Sequence, residues 1–255
     1  MVKFKCLIAL LNTPMSHQPI ILFDFDGIII TQKSLEYTAL KFLKTPFYRW
    51  RNVENLRLID FARIFEEADS KNRIKALLKI IKMYKRHIPS LWKRLLFFIK
   101  FKRNYPRYEE YEKLKPNLEE ALKKLKDKNF ILGIVSNTRG ERMNHFIEKF
   151  NLGRFFSVFI SRDDTPYRKP NPYPIYAALK VIKRDFKISI HKDRVFYIGD
   201  LPHDIQCAKN AGVNSIASLS GHGTEKSLRN SRPTFLIQDV KEILELEPFK
   251  KYLLD

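Results

Sequence analysis

Four short stretches of the chain present carboxylates, a hydroxyl and an ammonium at the ends of apolar runs or in the loops beside them. Asp24-Phe-Asp26-Gly27 follows Ile20-Ile-Leu-Phe23, and Ser136-Asn137 follows Ile131-Leu-Gly-Ile-Val135. Lys169 lies in Arg168-Lys-Pro-Asn-Pro172, and Asp200 and Asp204 share Gly199-Asp-Leu-Pro-His-Asp204. If Asp24, Asp26 and Asp200 meet in one crevice, they form a hard oxygen cluster tolerable only with a cation such as Mg²⁺ between them. Lys169 and Ser136 would then hold an anion beside that metal. A metal, an ammonium, a hydroxyl and a carboxylate nucleophile are the parts phosphoryl transfer needs, because its transition state spreads negative charge over oxygens.

Those groups must be positioned by strands. Ile20–Phe23, Ile131–Val135, Phe155–Ile160, Val195–Ile198, Asn214–Ser218 and Thr234–Ile237 read as buried strands. Between them, Asn117–Lys128 opens after Pro116, Glu141–Phe150 stops at Asn151-Leu-Gly, Pro174–Lys183 follows a Pro-rich loop and His203–Asn210 ends at Ala211-Gly212. Strands alternating with helices predict an α/β fold, a Rossmann-like doubly wound parallel sheet. Ligands of such sheets bind outside the carboxyl ends of the strands, where all four stretches fall. One connection is far too long: 111 residues separate Asp24 from Ser136, where a short loop and a helix would suffice. Helical spacing recurs inside it, in Leu58, Phe61, Ala62 and Phe65, then in Ile74, Leu77, Leu78, Ile81 and Tyr84. The division expected is a discontinuous α/β core, residues 1–32 and 116–255, with an inserted helical domain, residues 33–115, over the strand ends.

The order Asp-Phe-Asp-Gly, Ser-Asn, Lys-Pro-Asn-Pro and Gly-Asp-x-x-x-Asp resembles the haloacid dehalogenase superfamily, whose helical cap occupies the place of the insert. The resemblance implies roles residue by residue. Asp24 would be the nucleophile that forms an aspartyl-phosphate. Asp26 would be the general acid and later the base, with its backbone carbonyl on Mg²⁺. Ser136 and the Asn137 backbone would bind phosphoryl oxygens, Lys169 would neutralise them, Asp200 would ligate the metal, and Asp204 would orient Lys169 or a metal-bound water. The second aspartate, absent from the dehalogenases of this superfamily, favours phosphate chemistry. Ile28, Thr31-Gln32 and Leu201 depart from the usual residues and bear on fine tuning.

Each residue also has a plainer reading. Asp24-x-Asp-Gly alone is a common turn, Lys169 alone a solvated lysine and Ser136 a helix cap. Asp204 could serve the N-terminal charge of its own helix, and His203 reads as a surface residue. The four motifs in order are what favour chemistry.

Composition narrows the setting. The 255 residues carry 48 Lys+Arg against 28 Asp+Glu, a net +20, and residues 33–115 account for 22 − 9 = +13 of it. Lys71–Tyr108 holds 13 Lys/Arg and no acid. Three readings fit that segment: a solvated amphipathic surface of the lysine-rich kind seen in heat-adapted proteins, a cap face attracting an anionic substrate, or a nucleic-acid or acidic-membrane surface built on Leu91–Arg103. Cys6 and Cys207 make no disulfide framework, and Cys6–Leu11 is short of a signal-peptide core, so a reducing, cytoplasmic setting is expected. The function expected is a Mg²⁺-dependent phosphatase of small phosphorylated metabolites, similar to the phosphoglycolate phosphatase group. The alternatives are a sugar-phosphate mutase of the same superfamily or a binding protein that uses the basic segment.

Overall fold

The computed structural model of the chain describes residues 18–56, 61 and 73–253. Cys6–Leu11, Leu58, Ala62, Phe65 and Lys71 lie outside the described residues. The elements run β1 (Ile20–Phe23), α1 (Lys33–Leu43), α2 (Arg73–Met83), α3 (Leu91–Asn104), α4 (Leu118–Asp127), β2 (Ile131–Val135), α5 (Gly140–Lys149), β3 (Val158–Ile160), α6 (Tyr173–Phe186), β4 (Val195–Gly199), α7 (Pro202–Ala211), β5 (Asn214–Ser218), α8 (Glu225–Asn230), β6 (Phe235–Ile237) and α9 (Glu247–Leu253). Contacts divide them into two units, Met1–Ile30 with Leu114–Asp255, and Thr31–Lys113.

The first unit is a six-stranded, all-parallel sheet in the order β3-β2-β1-β4-β5-β6. Successive side chains of a strand point to opposite faces. Ile21 and Phe23 therefore pack with Leu122 and Leu125 of α4 and Phe146 of α5 on one face, and Ile20 and Leu22 with Ile175 and Ile182 of α6 and Ala208 of α7 on the other. With both faces covered, the central strands need continuous apolar runs, which is what Ile20-Ile-Leu-Phe23 supplies. The strand order reverses around β1, so a crevice opens at its carboxyl end. Phe155 and Phe156 do not extend β3 as the apolar run suggested. Their N–H groups both return to the Leu152 carbonyl, at 3.0 and 3.1 Å, closing a turn that buries their rings.

The second unit is helical. Phe42 of α1, Tyr84, and Phe97 and Phe101 of α3 form an aromatic core with Tyr48 and Phe61, with Phe97 at 5.0 Å from Tyr84 and 5.4 Å from Phe101 between ring centroids. Its two ends meet on Glu112, whose buried carboxylate accepts from Thr31 Oγ1 (2.9 Å), Lys33 N (3.0 Å) and Ser34 N (3.1 Å) and from the Ser34 hydroxyl. This supplies acceptors for the unpaired N–H groups that begin α1. Leu114 and Lys115 instead belong with the sheet unit, where Ile30 pairs with Leu114 and Lys115 N donates to Ile29 O at 3.0 Å. The inserted unit accordingly runs two residues ahead of the expected bounds at both ends. Helix α2 forms over the expected spacing, but its inner face carries Ile80, while Ile74 and Leu78 are 74% and 60% exposed.

Replacing Phe97 with Ala opens a cavity in this aromatic core and is expected to cost about 3–5 kcal/mol. Urea unfolding of the purified variant measures it, and a loss under about 1 kcal/mol would show that Phe97 is not central to that packing.

Candidate active site

Asp24, Ser136 and Asp200 each lie one residue beyond a strand end. Phe23 is level with Ile134 of β2 and Ile198 of β4, so Asp24, Ser136 and Asp200 emerge on one edge of the sheet. The ladder continues past the strand ends: Asp24 N donates to Ile198 O at 2.8 Å, and Ser136 N to Ile160 O at 2.9 Å. After Asp24 the chain folds into a tight loop in which Ile29 N and Ile30 N share the Phe25 carbonyl. Gly27 turns this loop at φ +82°, and a side chain there would also collide with the Asp200 carboxylate.

Lys169 sits at the centre. Asn137 holds its main chain, accepting from Lys169 N at 3.0 Å through Oδ1 and donating to Lys169 O at 3.4 Å. The Lys169 Nζ lies 2.7 Å from Asp24 Oδ1 and 2.6 Å from Asp204 Oδ1, and donates to Tyr197 Oη at 2.9 Å. Tyr197 Oη in turn donates to the Val135 carbonyl at 2.8 Å. Asp204 is the third residue of α7, and its Oδ2 accepts from Leu201 N at 3.0 Å. One carboxylate thus meets both the Lys169 ammonium and the N–H that begins the helix.

Asp200, one residue past β4, is fully buried against the loop that follows β5. Its Oδ2 accepts from His222 N at 2.7 Å and lies 3.2 Å from His222 Nδ1, while Gly223 N donates to the Asp200 carbonyl at 3.0 Å. Gly221 packs so closely that a Cβ would overlap the Asp200 side chain. The other oxygen, Oδ1, accepts no hydrogen bond although buried. Asp24, Asp200 and Asp204 bring ligand atoms within 4.8 Å of one another. The Asp26 carboxylate does not join them. Arg142 Nη1 on α5 holds it at 2.7 and 3.0 Å, and the Thr138 hydroxyl donates to it. Ser136 Oγ in turn donates to Thr138 Oγ1 at 3.1 Å, so Ser136, Thr138 and Asp26 form one hydrogen-bonded row. A nearby guanidinium gives Asp26 a counter-charge that the aspartate cluster could not.

Burial comes first in the electrostatics of the cluster. It pushes the Asp24 carboxyl up, Lys169 partly opposes this, and Asp204 and Asp200 add to it, leaving Asp24 raised to about 8. Burial alone would lower Lys169 and raise Asp204, but their mutual attraction, with Asp24 acting on Lys169, holds the ammonium well above and the Asp204 carboxyl below their usual ranges. Burial likewise raises the Tyr197 hydroxyl well above the ordinary tyrosine range, so it serves as a neutral hydrogen-bonding group. Three hard carboxylates and a buried oxygen without a donor fit a hard divalent cation, with Asp24 and Asp200 as the residues that would hold it.

Sequence reading passed over four residues at this site. Thr138 stands two residues beyond Ser136 in the same motif. Tyr197 falls on the strand face that looks toward Lys169, and its place within an apolar run concealed the hydroxyl. The paired glycines of Ser220-Gly-His-Gly-Thr224, just past β5, were a legible sign of close backbone approach and point to His222. Arg142 gave no local signal, because its partner is 116 residues away.

The family model for haloacid dehalogenase-like hydrolases matches residues 21–218. Among curated relatives, the chain is 30% identical over 136 residues to the phosphoglycolate phosphatase of Escherichia coli, covering 53% of this chain and 52% of that protein. It is 28% identical over 131 residues to a pyrophosphatase of Oceanobacillus iheyensis, covering 51% and 58%. The chain thus matches little more than half the length of these relatives. The crystal structure of a predicted phosphoglycolate phosphatase from Haemophilus somnus has the same fold, with a TM-score of 0.64 and 21% identity over 89% of this chain and 97% of that one. Among the described residues, no helix is long and apolar enough to cross a membrane.

The raised Asp24 has a measurable consequence. With its folded value near 8 and an unfolded value of 3.8, the folded chain binds a proton in this window that the unfolded chain releases. Asp24 therefore favours the cation-free folded state fully below pH 3.8, and the benefit drains away as pH rises toward 8, by up to about 1.4 kcal/mol per unit. Denaturant titrations in chelator should show the Asp24→Asn variant lacking this decline. Identical slopes for the two proteins would contradict the assignment.

Proposed function

The chain belongs to the haloacid dehalogenase-like hydrolases, and on that premise we propose that it is a Mg²⁺-dependent phosphatase acting on a small phosphorylated metabolite of the phosphoglycolate or sugar-phosphate type. The observation that carries the reading is the buried Asp24–Lys169 pair at 2.7 Å, set beside an Asp200 oxygen with no donor. A carboxylate, an ammonium and a carboxylate oxygen that accepts no hydrogen bond lie together there, which supports roles as nucleophile, phosphate neutraliser and cation ligand.

In this reading Asp24 attacks the phosphorus of a monoester, and the bond to the leaving alcohol oxygen breaks. Asp26 gives that oxygen its proton. Asp26 then takes a proton from a water that attacks the phosphorus of the aspartyl-phosphate, restoring the Asp24 carboxylate and releasing inorganic phosphate. For this its carboxyl must turn from the Arg142 guanidinium toward the leaving oxygen. Ser136 and the Asn137 N–H take phosphoryl oxygens, Lys169 offsets their charge, and Tyr197 and Asp204 keep its ammonium aimed at Asp24. A bound Mg²⁺ would supply further neutralisation of the transferring group, held by Asp24 and Asp200 with the Asp26 carbonyl.

Release of phosphate from a panel of phosphate esters tests the proposal. Activity is expected with Mg²⁺, none in EDTA, and none for Asp24→Asn. Activity of that variant within about tenfold of the parent, a barrier change of only about 1.4 kcal/mol, would exclude Asp24 as nucleophile. Asp26→Asn should slow turnover by about 10²–10⁴-fold for esters of poor leaving groups and by less for activated esters. A loss independent of the leaving group would contradict the acid role.

A further inference from the structure

Helix α3 has an inner face made of Arg94, Phe97 and Phe101, all buried. Its outer face is not the polar surface that a helix facing water alone would need. Leu91, Leu95 and Ile99 recur at i, i+4 and i+8, with Trp92 and Leu96 next to them around the helix, giving a broad apolar stripe. Leu91, Trp92 and Ile99 are 54%, 57% and 60% exposed. Phe47, itself 41% exposed, meets Trp92 edge-on at 5.4 Å between ring centroids. Cations ring this stripe: Lys93 Nζ lies 4.6 Å from the Phe47 ring centre and 5.6 Å from the Trp92 ring, Lys100 lies 5.9 Å from Phe47, and Lys102 and Arg103 are exposed on the last turn. No Asp or Glu occurs anywhere between Lys71 and Tyr108.

We propose that the outer face of α3, with Phe47, docks the protein on an anionic lipid surface, its apolar stripe entering the headgroup boundary and its cations meeting lipid phosphates. Charge selects this occupant. A second copy would set this acid-free basic face against another in a chain of net charge +20, which like-charge repulsion opposes. A single-stranded nucleic acid would meet the same cations, but aliphatic Leu91, Leu95, Leu96 and Ile99 offer bases nothing to stack on, and Phe47 and Trp92 stand at 75° to each other. An apolar centre with a basic rim and an exposed tryptophan is the pattern of a helix lying in a membrane interface. The proposal stands apart from the phosphatase reading, since it uses none of the strand-edge residues.

Co-sedimentation of the full chain with vesicles tests it. The protein should pellet with phosphatidylcholine vesicles containing about one third phosphatidylglycerol, and not with phosphatidylcholine alone. Raising salt from about 0.1 M to about 1 M should weaken binding, because exposed charge is screened. The double change Trp92→Ser with Ile99→Ser, at exposed positions, should reduce binding at least about tenfold with the circular dichroism unchanged. Neutralising Lys100, Lys102 and Arg103 to Gln should do the same while leaving the apolar stripe intact. Absence of pelleting, equal binding to both vesicles or retained binding by either variant would overturn the proposal. So would a lipid-free dimer that the Trp92/Ile99 variant abolishes, or tight nucleic-acid binding without vesicle binding.

Discussion

Lys169 is asked to balance more charge than one ammonium can. Asp24 and Asp204 both lie within 2.7 Å of its Nζ, and Asp200 completes a set of three buried carboxylates within 4.8 Å. Removing like charges from water and crowding them raises the proton affinity of the group least well paired. Here that group is Asp24, whose partner is shared, whereas Asp204 also has the Leu201 N–H and a helix start to stabilise its charge. The cluster is therefore short of positive charge in the very place where the proposed chemistry needs a free carboxylate, and a divalent cation answers both needs. The rest of the sheet unit serves this arrangement. Parallel register levels the ends of β1, β2 and β4, Asn137 anchors the Lys169 main chain, and Gly27 and Gly221 admit Asp200 where any side chain would collide.

Much of that was legible beforehand, for a physical reason. Buried parallel strands must be apolar along their whole length, so a polar or charged residue directly after such a run is conspicuous; Asp24, Ser136 and Asp200 stand out in this way. What the sequence could not convey was orientation. Two aspartates one residue apart at a strand end look interchangeable, yet Asp24 points to Lys169 while Asp26 turns to Arg142 and Thr138. Which carboxylate joins the cluster depends on a guanidinium distant in sequence and on the rotation of the Gly27 loop. Tyr197 was hidden for the opposite reason: its ring satisfies the apolar pattern of β4, so its hydroxyl, the third oxygen on Lys169, left no mark.

The inserted unit shows where periodicity fails. Apolar spacing located α2, but spacing reports that residues share a face and is silent on whether that face meets protein or solvent. Ile80 and Tyr84 went inward, and Ile74 and Leu78 did not. Aromatic content was the better guide, because Phe42, Tyr48, Phe61, Tyr84, Phe97 and Phe101 supply enough buried area to hold a small helical unit together. The same consideration makes the exposed rings and aliphatic residues of α3 conspicuous, since that unit has already used its inner face.

The central claim is that the shortage of positive charge around Lys169 keeps a proton on Asp24 until a divalent cation takes its place. Calorimetric titration of the chelator-stripped protein with Mg²⁺ at about pH 7, in two buffers of different ionisation enthalpy, counts that proton directly. With Asp24 raised to about 8, binding of Mg²⁺ should release protons from the parent protein and none from Asp24→Asn. Binding without proton release, or the same release from both proteins, would contradict the account.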